Sequence, residues 1–158
     1  MKFFSWLKHA KQRIQKGYSY RDIYSIDDWF LEIMPQMLEE LASVERLGVP
    51  IWEWNKVKEE NKDLSDDEVS LIAETSWRSM LRTMAEHLRE GKEPTKEKNK
   101  YDSKMFWNWD TINEPPKEEE KETRDKWMAR ELEIEQYRQE QLKKGLKMFC
   151  ENLERLWW

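Results

Sequence analysis

Residues 65–91 read SDDEVSLIAETSWRSMLRTMAEHLREG, and this stretch decides the fold. Ser65 stands three residues before Glu68. That is capping-box spacing, in which each side chain satisfies the other's exposed backbone N–H at a helix start. Val69, Ile72, Ala73, Trp77, Met80, Leu81, Met84 and Leu88 then recur at steps of three and four, forming one apolar stripe. The pattern predicts a helix over about 66–90, with Gly91 just past its end, where glycine commonly stops a helix. A helix of this length with a single stripe needs other helices to cover it.

Residues on either side supply them. Phe3, Phe4, Leu7, Ala10 and Ile14 give a first helix over 3–16, closed by Gly17. Residues 17–28, GYSYRDIYSIDD, read as a compact turn with two Ser-x-x-Asp pairs, Ser19/Asp22 and Ser25/Asp28. The second pair opens a helix over about 26–46, with Ile26, Trp29, Phe30, Ile33, Met34, Met37, Leu38 and Leu41 on its stripe. Pro35 sits inside that stripe and is expected to kink it, because proline removes a donor and crowds the carbonyl of Leu31. Gly48-Val49-Pro50 breaks the helix, and Ile51, Trp52 and Trp54 read as a short apolar loop. Residues 92–117 read as a long, partly mobile loop anchored by aromatics, between the third and fourth helices. A last helix runs from about 118 to 156, with a break expected near Gly145 and Cys150 as a small core residue. The expected fold is an all-α bundle of about four main helices in one domain, residues 1–158. Trp29, Phe30, Met37, Trp77, Leu81, Leu146, Phe149 and Leu153 are its expected shared core.

Composition narrows the function. The chain has ten tryptophans, one cysteine, four glycines and five prolines, and 39% of its residues are charged. Tryptophan offers buried apolar area or a flat face for stacking, which suits packing and binding more than catalysis. Net charge is −5, yet residues 1–24 carry six Lys/Arg against one Asp, and residues 25–91 carry seven against sixteen acidic residues. A globally acidic chain is a poor partner for duplex nucleic acid. No apolar run approaches ~20 residues, so no membrane span is expected. Cys150 has no internal partner, which makes a reducing cytoplasm the default. His9 and His87 lie in separate helices, and no Glu-x-x-His pair, glycine-rich phosphate loop or nucleophile elbow occurs. The expectation is therefore no catalytic residue, no metal and no cofactor.

Several segments together resemble a family of small helical proteins encoded by tailed bacteriophages and prophages. Gly17-Tyr18-Ser19 followed by Tyr24-Ser25-Ile26-Asp27 is similar to that family's opening G-[FY]-S…W-S-[LI]-D, with Tyr24 where Trp is commoner. Pro35 and Gly48-Val49-Pro50 fall where the family has a central proline and a Gly-x-Pro turn. Trp77-x-x-Met80-Leu81-x-x-Met84 is similar to its tryptophan-bearing helix. Gly145-Leu146-x-x-Phe149 with Leu156-Trp157 is similar to its closing helix. Residues 92–125 fall outside the resemblance. It implies a phage accessory protein in the cytoplasm of an infected bacterium, and it carries no catalytic residue across.

The densest mixture of aromatic and charged groups is Tyr18, Tyr20, Arg21, Asp22 and Tyr24. A structural turn explains these residues through capping and ring cover. The functional reading adds a pocket, with tyrosines stacking on a base and Arg21 forking onto a phosphate. Arg78 and Arg82, one turn apart beside Trp77, would add phosphate contacts. Trp107 and Trp109, two apart in a lysine-flanked loop, would either clamp the bundle, or form a lid on a ligand or a hot spot for a partner. The basic first helix reads as an amphipathic helix on an acidic body, or as a face for a membrane surface, an acidic partner or an anionic ligand. Two functions follow. The first is a non-enzymatic protein that sequesters a nucleotide-type host immune signal. The second is an interaction module that inhibits a host protein or serves phage assembly. The aromatic load and the long last helix also point to a homo-oligomer.

Overall fold

The structure is a computed structural model that describes residues 2–45, 48–101 and 118–156. Its helices are α1 (Lys2–Lys16), α2 (Tyr20–Tyr24), α3 (Ile26–Ser43), α4 (Ile51–Glu60), α5 (Asp66–Lys92) and α6 (Glu118–Asn152). A single 3-10 turn, Leu153–Arg155, follows α6, and no strand occurs among the described residues. The all-α class expected from the periodicity is the class observed. The chain divides into two compact units, residues 1–85 and 86–157. Residues 102–117 are outside the described set, and Trp107 and Trp109 with them.

In the first unit, Gly17 closes α1 with φ at +78°, a left-handed conformation that side chains disfavour. Its N–H donates to the Arg13 carbonyl at 2.9 Å. The Ser19/Asp22 box opens α2, with the Ser19 amide donating to Asp22 Oδ2 at 2.7 Å. The Ser25 side chain makes no capping hydrogen bond at the start of α3. Helix α3 continues through Pro35, which is itself buried.

The segment after Pro50 is a helix, not the apolar loop the sequence suggested. Pro50 occupies the N-cap, and its carbonyl accepts from Glu53 N at 2.9 Å and Trp54 N at 3.2 Å. Side chains on α4 explain why it forms. Val57 joins Val69 and Ala73 of α5 in a buried cluster, with Val49, Trp54 and Leu64 packed against it. Trp54 Nε1 donates to Ser70 Oγ at 3.1 Å, and Trp52 meets Trp77 edge-on with centroids 6.0 Å apart. Glu53, also buried, accepts from Ser76 Oγ at 2.5 Å. The Ser65/Glu68 box is complete: Ser65 N donates to Glu68 Oε2 at 2.9 Å, and Glu68 N to Ser65 Oγ at 3.4 Å.

In the second unit, the glycines have a different use from the one expected. Gly91 is the penultimate residue of α5, which ends at Lys92 close to the expected place, and Gly145 lies inside an unbroken α6. A Cβ on Gly91 would stand 2.8 Å from Leu142 Cα, and one on Gly145 would stand 2.9 Å from Leu88 Cδ2. Both glycines are therefore points of close helix approach. The buried line of α6 runs through Gly145 and Asn152, one step away from the leucine stripe. Leu146 and Leu153 are consequently exposed, as is Met37 of the first unit, against the expected shared core. Cys150 is exposed too. Trp77 and Leu81 are fully buried, as the stripe on α5 predicted.

The chain after α5 is tied back by a buried carboxylate. Glu90 Oε2 accepts from Tyr137 OH at 3.1 Å and Lys96 N at 3.3 Å, and Oε1 from Thr95 N at 3.1 Å. Burial opposes ionisation of Glu90, but the Thr95, Lys96 and Tyr137 donors outweigh it and hold its carboxyl below the usual carboxylate range. Arg138 Nε donates to the Gly91 carbonyl at 3.1 Å, close to the α5 terminus.

Candidate functional site

The junction of α1, α2 and α3 holds a cleft of about 460 Å³. Lys16, Gly17, Tyr18, Asp22, Ile23, Ile26 and Trp29 line it. It exists because two helix ends meet a one-and-a-half-turn helix here. The left-handed Gly17 turns the chain out of α1, and the Ser19/Asp22 box starts α2 two residues later. Ile23 of α2 and Ile26 at the head of α3 are thereby left with 53% and 69% of their surface in solvent. Tyr18 is also exposed.

The cleft's one carboxylate is already occupied. Arg13 forks onto Asp22, with Nε 3.0 Å from Oδ2 and Nη2 2.6 Å from Oδ1. The Arg13 fork, reinforced by the Ser19 amide, holds Asp22 well below the usual carboxylate range against the opposing cost of burial. Asp22 therefore remains charged at neutral pH while satisfied by α1. Its role is to lock α1 to α2, and it leaves the lining of the cleft mainly apolar.

The other expected site residues divide sharply. Tyr20 and Tyr24 are exposed and meet edge-on at 5.7 Å, outside the lining of the cleft. Arg21 and Arg82 are exposed. Trp77 is fully buried against Trp52 and presents no face to a ligand. Arg78 is committed to the fold. Its Nη1 donates to the Ala42 carbonyl at 2.6 Å, its Nη2 to the Val44 carbonyl at 2.7 Å, and it also pairs with Glu74. Those carbonyls belong to the C-terminal end of α3, which has no basic residue in its own last turn. Trp107 and Trp109 lie outside the described residues.

Ile23, Ile26, Trp29 and Lys16 were not singled out from the sequence as site residues. Ile26 and Trp29 fit a core stripe, so periodicity assigned them to packing. Ile23 was the available signal, being an isolated apolar residue within a polar turn. Among the described residues, no group of three His, Cys, Asp or Glu side chains is placed to hold a metal, and no helix is long and apolar enough to cross a membrane. No family model matches this chain, and neither a curated protein nor a solved structure matches it.

Proposed function

We propose that the protein is a non-enzymatic interaction module. Its α1–α3 cleft takes apolar side chains of a partner protein segment that carries acidic residues beside them. The observation that supports this most is the exposure of Ile23 and Ile26 at a cleft walled by Tyr18 and Trp29. Large apolar side chains gathered at a concave surface are the usual anchor points of protein recognition. Full burial of one such side chain is worth about 1.5–3 kcal/mol. Charge complementarity supplies the second half of the reading. Lys8, Lys11, Lys16 and Arg21 are exposed on α1 and α2, and they would draw in an acidic segment.

Capture of a nucleotide-type host signal at the Tyr18–Tyr24 turn has less support. Phosphates would meet the ionised Asp22 carboxylate, Arg78 is spent on α3 carbonyls, and the Trp77 ring is enclosed. The resemblance to phage helical proteins makes a host protein or a phage assembly component the partner. A capture experiment from bacterial lysate tests the reading when run with matched variants. A protein retained by wild type and by Arg82→Ala should be lost from Ile23→Glu. Retention by Ile23→Glu, or nucleotide carried through purification as excess absorbance at 260 nm that Tyr18→Ala abolishes, would overturn it.

A further inference from the structure

The second unit carries its own cleft, of about 430 Å³, between residues 98–101 and α6. Its chemistry is the reverse of the first. Lys98 and Lys100 are two apart on a segment without helical structure, and Lys126 and Arg130 are four apart on α6. Side chains two apart on extended chain share a side, and those four apart on a helix share a face. All four cations line the same cleft. The Asn99 side chain fixes this meeting. Its Nδ2 donates to the Trp127 carbonyl at 3.1 Å and to Glu131 Oε1 at 2.9 Å, while its Oδ1 accepts from Tyr101 N at 3.0 Å.

The cations differ in how they are held. Arg130 is gripped by Glu97 and by Glu133, the latter at 2.8 Å, and Lys126 pairs with Glu122 at 2.5 Å. Lys100 has its ammonium 5.4 Å from the centroid of the Tyr101 ring, a cation–π contact that holds it at the cleft. Neither Lys98 nor Lys100 has an ion pair among the described residues. Glu133, the one carboxylate in the lining, is already held by Arg130, so Lys98 and Lys100 repel one another there, and a multivalent anion between them removes that repulsion. We propose that this cleft binds a small ligand bearing two or more phosphate charges, a free polyphosphate or a nucleoside polyphosphate. Lys98 and Lys100 would contact the phosphates, while Lys126 and Arg130 stay paired with Glu122, Glu97 and Glu133.

The proposal is independent of the α1–α3 cleft and is tested on the whole chain. Calorimetry with pyrophosphate and with adenosine diphosphate, at low ionic strength, should show saturable binding that weakens as salt is added. Equal affinity for the two probes assigns recognition to the phosphates alone. Tighter adenosine diphosphate binding that Tyr101→Leu removes assigns a contact to the ring as well. Replacing both lysines, K98Q with K100Q, should weaken binding about tenfold or more, since each removes a charge-assisted contact. Glu133→Gln, which deletes a carboxylate from the lining, should tighten it by about twofold to fivefold. Absence of saturation with both probes up to about 1 mM, or affinity unchanged in the double lysine variant with its helical circular dichroism intact, would overturn the proposal.

Discussion

Helix α5 is packed by opposite means at its middle and at its C-terminal end. Near its middle, Trp77 fills space with the largest side chain available, and Trp52 of α4 closes on its edge. Near its C-terminus, Gly91 leaves space empty so that the backbone of Leu142 can come close. The first contact gains from buried area and dispersion, and the second from the absence of a Cβ. A reading by hydrophobic periodicity sees the first kind directly. It takes the second for a helix end, because glycine serves both purposes.

Substitution tests the difference. Trp77→Ala should cost about 3–5 kcal/mol of stability, the largest effect expected of any single change here, since it opens a cavity in a fully buried site. Chemical denaturation monitored by circular dichroism measures it, and a midpoint within error of wild type would remove Trp77 from the core. At the C-terminal end the sign is unusual. Glycine to alanine inside a helix normally gains about 1 kcal/mol. Gly91→Ala should instead lose about 1–3 kcal/mol, because the new methyl meets backbone atoms that cannot rotate away. A stabilised Gly91→Ala protein would show that α5 and α6 do not approach closely at this position.

How much of this was legible follows from the range of each interaction. Gly17, the Ser19/Asp22 box and the Ser65/Glu68 box act within a few residues, and the spacing of their side chains announced them. Helix α4 was misread because Pro50 caps it without the usual Ser, Thr, Asp or Asn signal. Its tryptophans also followed a Gly-Val-Pro break that looked like the start of a loop. Arg78 was read as a phosphate ligand because its actual acceptors, the carbonyls of Ala42 and Val44, lie 36 and 34 residues away. The α1–α3 cleft was half visible. Tyr18 and Asp22 were picked out as site residues, but Ile26 and Trp29 passed as core because nothing local says that the head of α3 stays uncovered. Lys98 and Lys100 fall in the segment that reads as a long loop, since only the fold brings Lys126 and Arg130 beside them.

Arg78 also provides the next test in order of size. Arg78→Met keeps the aliphatic stem and removes the donors to both α3 carbonyls. It should cost about 1–3 kcal/mol, the range for hydrogen bonds made by a charged donor. Hydrogen exchange would locate the damage, with faster exchange confined to the last turn of α3. Uniform loss of protection along α5 instead would mean that Arg78 serves its own helix through Glu74 rather than the end of α3.

The smallest effect expected is on pH dependence, and it compares the two units through their carboxylates. Asp22 in the first and Glu90 in the second are both held below the usual carboxylate range, Asp22 chiefly by the Arg13 fork and Glu90 by the Thr95, Lys96 and Tyr137 donors acting against its burial. A depressed folded-state pKa means that the unfolded chain takes up protons first as pH falls. The stabilisation from each group is therefore fully present above about pH 5 and is lost as pH drops below about 4, the unfolded value, through the folded one. Asp22→Asn should be less stable than wild type at pH 6, and the gap should close as the pH falls below 4. Glu90→Gln should behave in the same direction. Arg13 is largely exposed, so its pairing with Asp22 is screened by solvent and the Asp22 gap should be modest and reduced by salt. The Glu90 gap should resist salt, because its donors are mostly uncharged backbone amides and hydroxyls. Urea midpoints for the two variants at pH 6 and pH 3, each at low and high salt, measure all of this. A gap at Asp22 that ignores both pH and salt would show that its loss is felt through packing rather than charge, and that the lock between α1 and α2 is not ionic.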